Sequence, residues 1–409
     1  MKYNVAKSGE IRPCTSCQVC SAVCPANAIS IELNTNGFYR PVVDNAKCVD
    51  CGLCVKSCYK YAQEIRSTVN FSGKKQFAAT AVSKEVLKNT TSGGIADLLA
   101  LELIKQGYKC IGVVFDSDQN CALGKVAATA DEVVGFRGSK YIQSLSVEAF
   151  RELVKQNKHQ KYAVFGLPCQ IYGLNRALTL RKSRDSHILI DLYCHGCPSL
   201  NVWRKYTESI LEKTGGTKIL SANFRSKVRG WGNYVVQAKV QADGKLVEVA
   251  SPRINDPFFT LFFSDLVLND SCSSCELRST LEYCDIRLGD FWGLMFVKNH
   301  TGVSGVTVCT ERGQGLLDKI RGNISISEVD FNTFLPYQSY GKVYKQDEQK
   351  RKVLLNTLGN SSSSIQDVVK TYRRLMPLKY KIVTSLKNII KLLPNSVVSN
   401  TKALFYKVR

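Results

Sequence analysis

The chain contains no run of eighteen apolar residues, and its first ten residues lack the apolar segment of a secretion signal. We therefore expect neither a transmembrane helix nor a signal peptide. Acidic residues are also scarce, since 34 Asp and Glu stand against 56 Lys and Arg and leave a net charge of +22. Without a secretion signal, the 17 cysteines predict a cytoplasmic, metal-binding protein and argue against a disulfide scaffold.

Eight of these cysteines form two runs with the spacing Cys-x2-Cys-x2-Cys-x3-Cys. The runs are Cys14, Cys17, Cys20 and Cys24, then Cys48, Cys51, Cys54 and Cys58. Bacterial ferredoxins use this spacing to hold two [4Fe–4S] clusters, with the fourth cysteine of each run binding the other cluster. We therefore predict that Cys14, Cys17, Cys20 and Cys58 hold one cluster, and that Cys48, Cys51, Cys54 and Cys24 hold the second. Zinc is the alternative, although zinc sites prefer paired Cys-x2-Cys units with a longer gap.

The second run departs from the ferredoxin pattern at one position. Tyr59 follows Cys58 where a ferredoxin usually has proline. Proline shapes the turn there and is not a ligand, so the prediction of two clusters stands.

The length of 409 residues predicts two or three domains with their own cores. Residues 1–66 are expected to form a ferredoxin-like module, and residues 78–213 an α/β part, because strand and helix patterns alternate there. Residues 216–335 are expected to form a further part with another cysteine cluster, and residues 340–409 a basic, partly helical tail. The predicted fold class is therefore a multidomain α+β or α/β protein.

Three further cysteine motifs follow predicted strands, where α/β folds place their ligands. They are Gly166-Leu167-Pro168-Cys169-Gln170, Cys194-His195-Gly196-Cys197 and Cys272-x2-Cys275. We predict a third [4Fe–4S] cluster with Cys272 and Cys275 as ligands and Cys169 and Cys194 as the other two. Cys284 is a possible substitute, Cys197 makes ligation near Cys194 ambiguous, and buried inert cysteines are the alternative. His195 could relay a proton, although a structural histidine is the more common outcome.

Short motifs in a fixed order also resemble the beta subunit family of coenzyme F420-reducing hydrogenases and F420-linked formate dehydrogenases. Besides the cysteine motifs, they are Thr91-Ser92-Gly93-Gly94, Gly138-Ser139-Lys140-Tyr141, Asn223-Phe224-Arg225, Gly230-Trp231, and the segment from Asp285-Ile286 to Trp292-Gly293. The resemblance implies an α/β flavin-binding domain that carries FAD and an iron–sulfur cluster. It also implies electron transfer to or from an organic hydride carrier, which is a deazaflavin in archaea.

The resemblance suggests which residues bind FAD. Ser92, Gly93 and Gly94 open a predicted helix, whose free N–H groups suit a pyrophosphate, although an ordinary helix start is the alternative. Ser139, Lys140 and Tyr141 add hydroxyl donors and a cation, and Arg225 suits a planar anionic group. Lys227 and Trp231 are weaker candidates for the flavin or substrate pocket, with a solvated loop as the alternative. No catalytic residue is predicted.

The last forty residues, 370–409, contain ten Lys or Arg and no acidic residue. Lys379–Leu393 has apolar residues at helical spacing among lysines, which predicts a basic amphipathic helix for an anionic membrane surface or an acidic partner. Packing on its own domain is the alternative. No nucleic-acid partner is expected, because no recognised binding module accompanies the charge.

Two functions remain open from the sequence. The first is a FAD- and iron–sulfur-dependent oxidoreductase, cytoplasmic or peripheral at the inner face of the membrane. Its partner would be a redox protein or a small-molecule hydride carrier. The second is a non-catalytic electron-transfer subunit or adaptor that serves a partner enzyme, with cell-surface polysaccharide biosynthesis as one setting.

Overall fold

The computed structural model describes residues 3–65, 71–156 and 159–377, which adopt a mixed α/β fold. The strands in these ranges are β1 (Ile29–Leu33), β2 (Tyr39–Val43), β3 (Lys75–Ala81), β4 (Lys109–Asp116), β5 (Cys121–Ala127), β6 (Ser144–Leu145), β7 (Tyr162–Phe165), β8 (Ile188–Leu192), β9 (Lys218–Ser226), β10 (Val235–Ala242), β11 (Lys245–Pro252), β12 (Ile286–Asp290), β13 (Ser304–Val308) and β14 (Ile324–Glu328). The α-helices are α1 (Val19–Ala22), α2 (Leu53–Lys56), α3 (Lys84–Asn89), α4 (Ile95–Lys105), α5 (Ala130–Val134), α6 (Val147–Lys155), α7 (Pro168–Leu180), α8 (Leu200–Thr214), α9 (Pro257–Phe262), α10 (Glu311–Lys319), α11 (Phe331–Phe334), α12 (Glu348–Gly359) and α13 (Ile365–Leu375).

The ferredoxin-like module combines the antiparallel hairpin β1–β2 with one short helix inside each cysteine run. Gly37 lies in the hairpin turn with a positive φ of 76°, and a Cβ there would lie 2.9 Å from the backbone N of Asn201. The carbonyl of Gly37 accepts the N–H of Leu200 at 2.8 Å. The tip of the hairpin therefore packs directly against the start of α8.

A nine-stranded sheet, in the order β14-β3-β13-β12-β8-β7-β4-β5-β6, forms the centre of the rest of the molecule. Strands β12, β8, β7 and β4 form a run of four mutually parallel strands, and β13 is antiparallel to both β12 and β3. The predicted α/β character is confirmed. The sheet takes strands from both sides of the predicted boundary near residue 215, because β12, β13 and β14 lie among the earlier strands.

A separate antiparallel sheet, β11-β10-β9, lies between β8 and β12 in the chain. Strands β10 and β11 meet at Asp243 and Gly244, which both have positive φ, of 47° and 72°. Two consecutive positive φ angles are typical of a type I′ hairpin turn, and Asp-Gly favours that turn.

The ferredoxin-like module shares a hydrophobic core with helices α6 and α7. Val19 and Val55 of the module belong to the same buried cluster as Phe150, Leu153 and Ile171. The Gln18 amide adds two hydrogen bonds, donating to the Ser144 carbonyl at 2.6 Å and accepting the Ser146 N–H at 2.7 Å. Burial of side chains of this size contributes about 1.5–3 kcal/mol each, so the module is firmly attached to the sheet.

The described part of the predicted tail is packed into the fold. Helices α12 and α13 bury Leu354, Leu358 and Val368 in one cluster with Trp203 of α8 and Phe258 of α9. The amphipathic helix predicted at Lys379–Leu393 lies outside the described residues. In the described part of the chain, no helix has the length and apolarity needed to cross a bilayer.

Candidate functional site

The first cysteine group consists of Cys14, Cys17, Cys20 and Cys58. All four line a single cavity of about 240 Å³, together with Tyr39, Arg40 and Lys60. Three of the cysteines come from the first run, two before α1 and one within it, and Cys58 comes from the end of the second run. The fold therefore brings together the ligand set predicted for one cluster.

The second cysteine group consists of Cys24, Cys48, Cys51 and Cys54, which line another cavity, of about 20 Å³. Here Cys24 of the first run joins three cysteines of the second run, in the crossed arrangement predicted from the spacing. Cys24 and Cys54 are buried, whereas Cys51 is exposed. The second group is therefore the one with a cysteine at the molecular surface.

Both groups surround a space and do not converge on one point. Within the described ranges, no three His, Cys, Asp or Glu side chains are arranged to hold a single metal ion.

The third cysteine group consists of Cys169, Cys194, Cys272 and Cys275. Cys169 follows β7 and Cys194 follows β8, so both lie at the carboxyl edge of the parallel strands. Burial raises the pKa of the Cys169 thiol well above its usual value, and the charges of neighbouring thiols, including the other three of the group, raise it further. Burial also raises the pKa of Cys194 to about 11 and that of Cys272 to about 12. These thiols are protonated at neutral pH in the absence of metal, so metal binding must displace their protons.

The loop that carries Cys194 approaches Cys272 so closely that it requires glycine. Gly196 has a φ of 153°, and a Cβ there would lie 2.8 Å from Leu268 Cδ1 and 3.3 Å from Cys272 Cβ. The N–H of the next residue, Cys197, donates to Cys272 Sγ at 3.4 Å. Cys197 is therefore next to the third group, in contact with one of its members.

Arg278 holds the loops of the third cysteine group together, and its role was not predicted. Its buried guanidinium donates to the carbonyls of Cys194 at 3.3 Å, His195 at 2.6 Å and Cys272. It also lowers the pKa of Cys194, against the larger raising effect of burial. The available signal was a cation three residues after Cys275, close to the cysteine motif.

Two other candidate residues of this region are Cys284 and His195. Cys284 lies away from the third cysteine group, and His195 has a structural role. Cys284 is buried with its Sγ 3.7 Å from Cys309 Sγ, a contact that the sequence did not suggest. Both ring nitrogens of His195 are engaged, Nε2 with Asp265 at 2.8 Å and Nδ1 with the Tyr344 hydroxyl at 2.9 Å. This geometry favours the structural interpretation of His195.

Most residues predicted to bind FAD lie in loops at the same edge of the large sheet, whereas Arg225 lies near the end of β9 in the separate sheet. Ser92 Oγ donates to the Val303 carbonyl at 2.9 Å, and Gly93 N–H donates to Ser304 Oγ at 3.0 Å. Ser139 N–H donates to Thr91 Oγ1 at 2.9 Å, which joins the two glycine-containing loops. Gly94 has a φ of 82° and immediately precedes α4.

The two lysines of this region both donate to backbone carbonyls. Lys140 Nζ donates to Gly135, Phe136 and Arg137 at 2.9–3.2 Å, at the carboxyl end of α5. Burial lowers its pKa to about 8. Lys227 Nζ donates to the carbonyls of Ser92 and Thr301, at 3.1 and 2.6 Å. Lys140 therefore fixes the end of a helix, whereas Lys227 ties the strand β9 loop to the Ser92 loop.

An arginine–tryptophan cluster of Tyr141, Arg225, Trp231, Asp290 and Trp292 lies beside these loops. Arg225 is buried and forms two hydrogen bonds with the Asp290 carboxylate, and one of its Nη atoms donates to the Tyr141 hydroxyl at 3.3 Å. Trp231 donates to Asp290 at 3.0 Å and stacks on Trp292, with ring centroids 4.1 Å apart. Arg225 Nε has no hydrogen-bond partner within the described residues. Asp290 and Trp292 stood in a sequence motif, but no role had been predicted for them.

Comparisons with known proteins agree with these features. Residues 159–332 match the family described as the C terminus of the coenzyme F420 hydrogenase/dehydrogenase beta subunit, and residues 13–62 match the 4Fe-4S dicluster domain. The beta subunit of the coenzyme F420 hydrogenase of Methanococcus voltae is 25% identical over 252 residues, which cover 59% of this chain and 82% of that protein. One subunit of the F(420)H(2) dehydrogenase of Methanosarcina mazei is 24% identical over 357 residues, which cover 83% and 89%.

A solved chain of the F420-reducing [NiFe] hydrogenase complex from Methanosarcina barkeri aligns with a TM-score of 0.42 and 19% identity. The alignment covers 73% of this chain and 91% of that one. The resemblance that the motifs suggested is thus confirmed by the sequence matches. The chain therefore combines a segment similar to the C terminus of the coenzyme F420 hydrogenase/dehydrogenase beta subunit with a match to the 4Fe-4S dicluster domain in its N-terminal part.

Proposed function

We propose that the chain is an iron–sulfur flavoprotein oxidoreductase that passes electrons between three [4Fe–4S] clusters, FAD and an organic hydride carrier. The observation that carries this proposal is the arrangement of the three cysteine groups. The second group has Cys51 at the surface, and Cys17 of the first group is close enough to Cys169 to raise its pKa. The three groups therefore lead from the surface of the ferredoxin-like module to the edge of the large sheet.

The residues of each group fit an iron–sulfur cluster. Four thiols surround a cavity in the first group, and four half-buried cysteines meet in the third group, next to the cation of Arg278. A nearby cation offsets part of the negative charge of four thiolates. Tyr59, Ile65 and Leu277 form an apolar layer beside Cys169 and Cys275, which limits access of water.

The arginine–tryptophan cluster supports a flavin site. The unpartnered Arg225 Nε is a buried donor that suits an acceptor atom on a bound group, and buried donors rarely remain unpaired. Flat indole rings and a guanidinium suit a planar, anionic cofactor. We propose Ser92, Gly93, Gly94, Ser139, Tyr141 and Arg225 as FAD-binding residues, with Lys140 acting by holding the Ser139 loop in place.

When bound, a [4Fe–4S] cluster carries one electron at a time, and FAD converts one-electron steps into hydride transfer. The names of the two relatives make F420 a candidate for the hydride carrier of this chain. The same names describe subunits, which favours a protein redox partner.

The alternative function is a non-catalytic electron-transfer subunit that serves a partner enzyme. It is favoured by the shorter matches, which include one subunit of the NADH-quinone oxidoreductase of Pelobacter propionicus at 35% identity over 69 residues. That match covers 15% of this chain and 37% of that protein. A setting in cell-surface polysaccharide biosynthesis stays a prediction. The absence of FAD from the purified protein would favour this alternative.

The test is to purify the protein without oxygen and to quantify iron, acid-labile sulfide and flavin per chain. We expect about twelve irons and one FAD. Cys272→Ser should lose about four irons while the ferredoxin signals persist. Cys197→Ser is the matched control, because the Cys197 N–H donates to Cys272 Sγ while its thiol is not a proposed ligand, and the variant should keep all iron. About eight irons and no flavin in the wild type would contradict the proposal.

A further inference from the structure

Tyr59 retains the backbone geometry of the proline that it replaces. Cys58, the residue before it, is extended, with φ −98° and ψ 125°, and a short 3-10 helix begins at Tyr59. Proline imposes an extended conformation on its predecessor, so the turn is the one that a ferredoxin proline would require. Compared with proline, the tyrosine therefore adds a phenol side chain at this position without changing the turn.

That side chain reaches out of the ferredoxin-like module to the third cysteine group. The Tyr59 hydroxyl accepts the N–H of Glu276, the residue after Cys275, at 3.1 Å. Its ring, which is 2% exposed, packs edge-on against Tyr172, one helical turn after Cys169, with centroids 6.0 Å apart. A single residue next to Cys58 thus contacts Glu276, which follows Cys275, and Tyr172, which lies one helical turn after Cys169.

Arg12 adds a second link in the same place. Its guanidinium lies 4.9 Å from the centre of the Tyr59 ring and forms an ion pair with Glu276. It also donates to the Ala62 carbonyl within the module. Cation–π contact and ion pairing in a half-buried site restrict the motion of both side chains.

We propose that Tyr59 is a positioning residue that fixes the distance between the first and third cysteine groups. The hydroxyl is bonded to a backbone N–H, so Tyr59 fixes the main chain next to Cys275 relative to the main chain at Cys58. This inference rests on the proposed third cluster. Both the magnetic interaction and the electron transfer between two clusters depend steeply on the distance that separates them.

Two variants separate the parts of the side chain. Tyr59→Phe keeps the ring and removes the hydroxyl, whereas Tyr59→Pro removes the whole side chain and keeps the turn. Tyr61→Phe is the matched control, because it makes the same deletion in the same short helix. The Tyr61 hydroxyl donates to the carbonyls of Val5 and Lys7, at 3.0 and 2.8 Å, inside the module.

The measurements are iron content, thermal unfolding, and the electron paramagnetic resonance spectrum of the fully reduced protein. We expect Tyr59→Phe to keep its iron, to unfold at a slightly lower temperature because the Glu276 N–H loses its acceptor, and to show weaker magnetic broadening between clusters. Electron transfer between them should slow several-fold, and more in Tyr59→Pro. Tyr61→Phe should keep the iron content and the spectrum of the wild type, with only a small fall in unfolding temperature from its lost hydrogen bonds.

An unchanged spectrum in both Tyr59 variants, at full iron content, would overturn the positioning role. Loss of iron from Tyr59→Phe would overturn it in favour of a purely structural role. A wild-type protein with about eight irons would remove the third cluster on which the inference rests, and iron content distinguishes that failure from a failure of Tyr59 alone.

Discussion

The two ferredoxin-like cysteine groups and the third cysteine group each bring four cysteines together, but they take those cysteines from different kinds of chain segment. Each ferredoxin group takes three cysteines from a stretch of seven residues, such as 14–20, and one from the other run. The third group takes its cysteines from the first turn of α7, which follows β7, from the loop after β8 and from the segment before β12. Local turn geometry arranges the first kind, whereas the second kind depends on tertiary structure. Changes that loosen the sheet edge should therefore affect the third group selectively.

The largest effect is expected from Arg278→Met. The change leaves the carbonyls of Cys194, His195 and Cys272 without their shared buried donor. We expect a loss of about 3–5 kcal/mol in the free energy of unfolding, by analogy with the removal of one partner from a buried charged network. Iron analysis should show that the third group is empty and that the ferredoxin clusters remain.

Arg321→Met is the control for the lost cation, since Arg321 is exposed and its ion pair with Asp318 lies at the surface. It should change the free energy of unfolding by about 0.5 kcal/mol or less. Simultaneous loss of all clusters in Arg278→Met would contradict the distinction between the two kinds of group.

Gly196→Ala tests the close approach of the Cys194 loop to Cys272. The new Cβ would meet Leu268 at 2.8 Å in a backbone conformation that favours glycine. We expect about 2–3 kcal/mol of destabilisation, from backbone strain and overpacking together, with reduced iron in the third group. Gly215→Ala is the matched control, because Gly215 has a φ of 62° and no heavy atom near its Cβ position. Equal effects of the two changes would show that strain alone accounts for the result.

The smallest expected effect is a pH dependence of folding stability that comes from His187. This residue lies immediately before β8, the strand that leads to Cys194. His187 is buried and its Nδ1 accepts the N–H of Tyr162 at 3.1 Å, so burial lowers its pKa to about 4 from 6.5. Between these values the unfolded state binds more protons than the folded state, so stability falls as the pH falls through this window.

Denaturant unfolding at pH 7 and pH 5 measures this dependence. The wild type should lose about 2 kcal/mol from this histidine between the two values, and His187→Gln should lose correspondingly less. An identical pH dependence in the variant would show that His187 does not titrate as its buried hydrogen bond requires.

The sequence predicted what local spacing and strand ends determine. The crossed pairing of Cys24 and Cys58 with the opposite runs follows from spacing, and the structure places these cysteines accordingly. Cys169 and Cys194 were predicted to lie near each other because segments that follow parallel strands meet at one edge of the sheet. The roles of Arg278 and Lys140 could not be predicted, because both side chains bond to carbonyls, which every residue possesses. The sequence also did not predict that one sheet contains strands from both sides of residue 215. The pairing of β12 with β8 joins segments about a hundred residues apart, which local patterns do not show.

The strand order has a consequence for how the protein is made. Strand β3 is separated from β8 by β13 and β12, which are synthesised more than ninety residues after β8. Until those strands leave the ribosome, the earlier part of the chain has two unfilled sheet edges and buries less of its apolar surface. Pairings between such distant segments form slowly. The ferredoxin-like cysteines can meet early in synthesis, whereas Cys169 and Cys194 must wait for Cys272 and Cys275, so maturation of the protein should proceed in two stages separated in time.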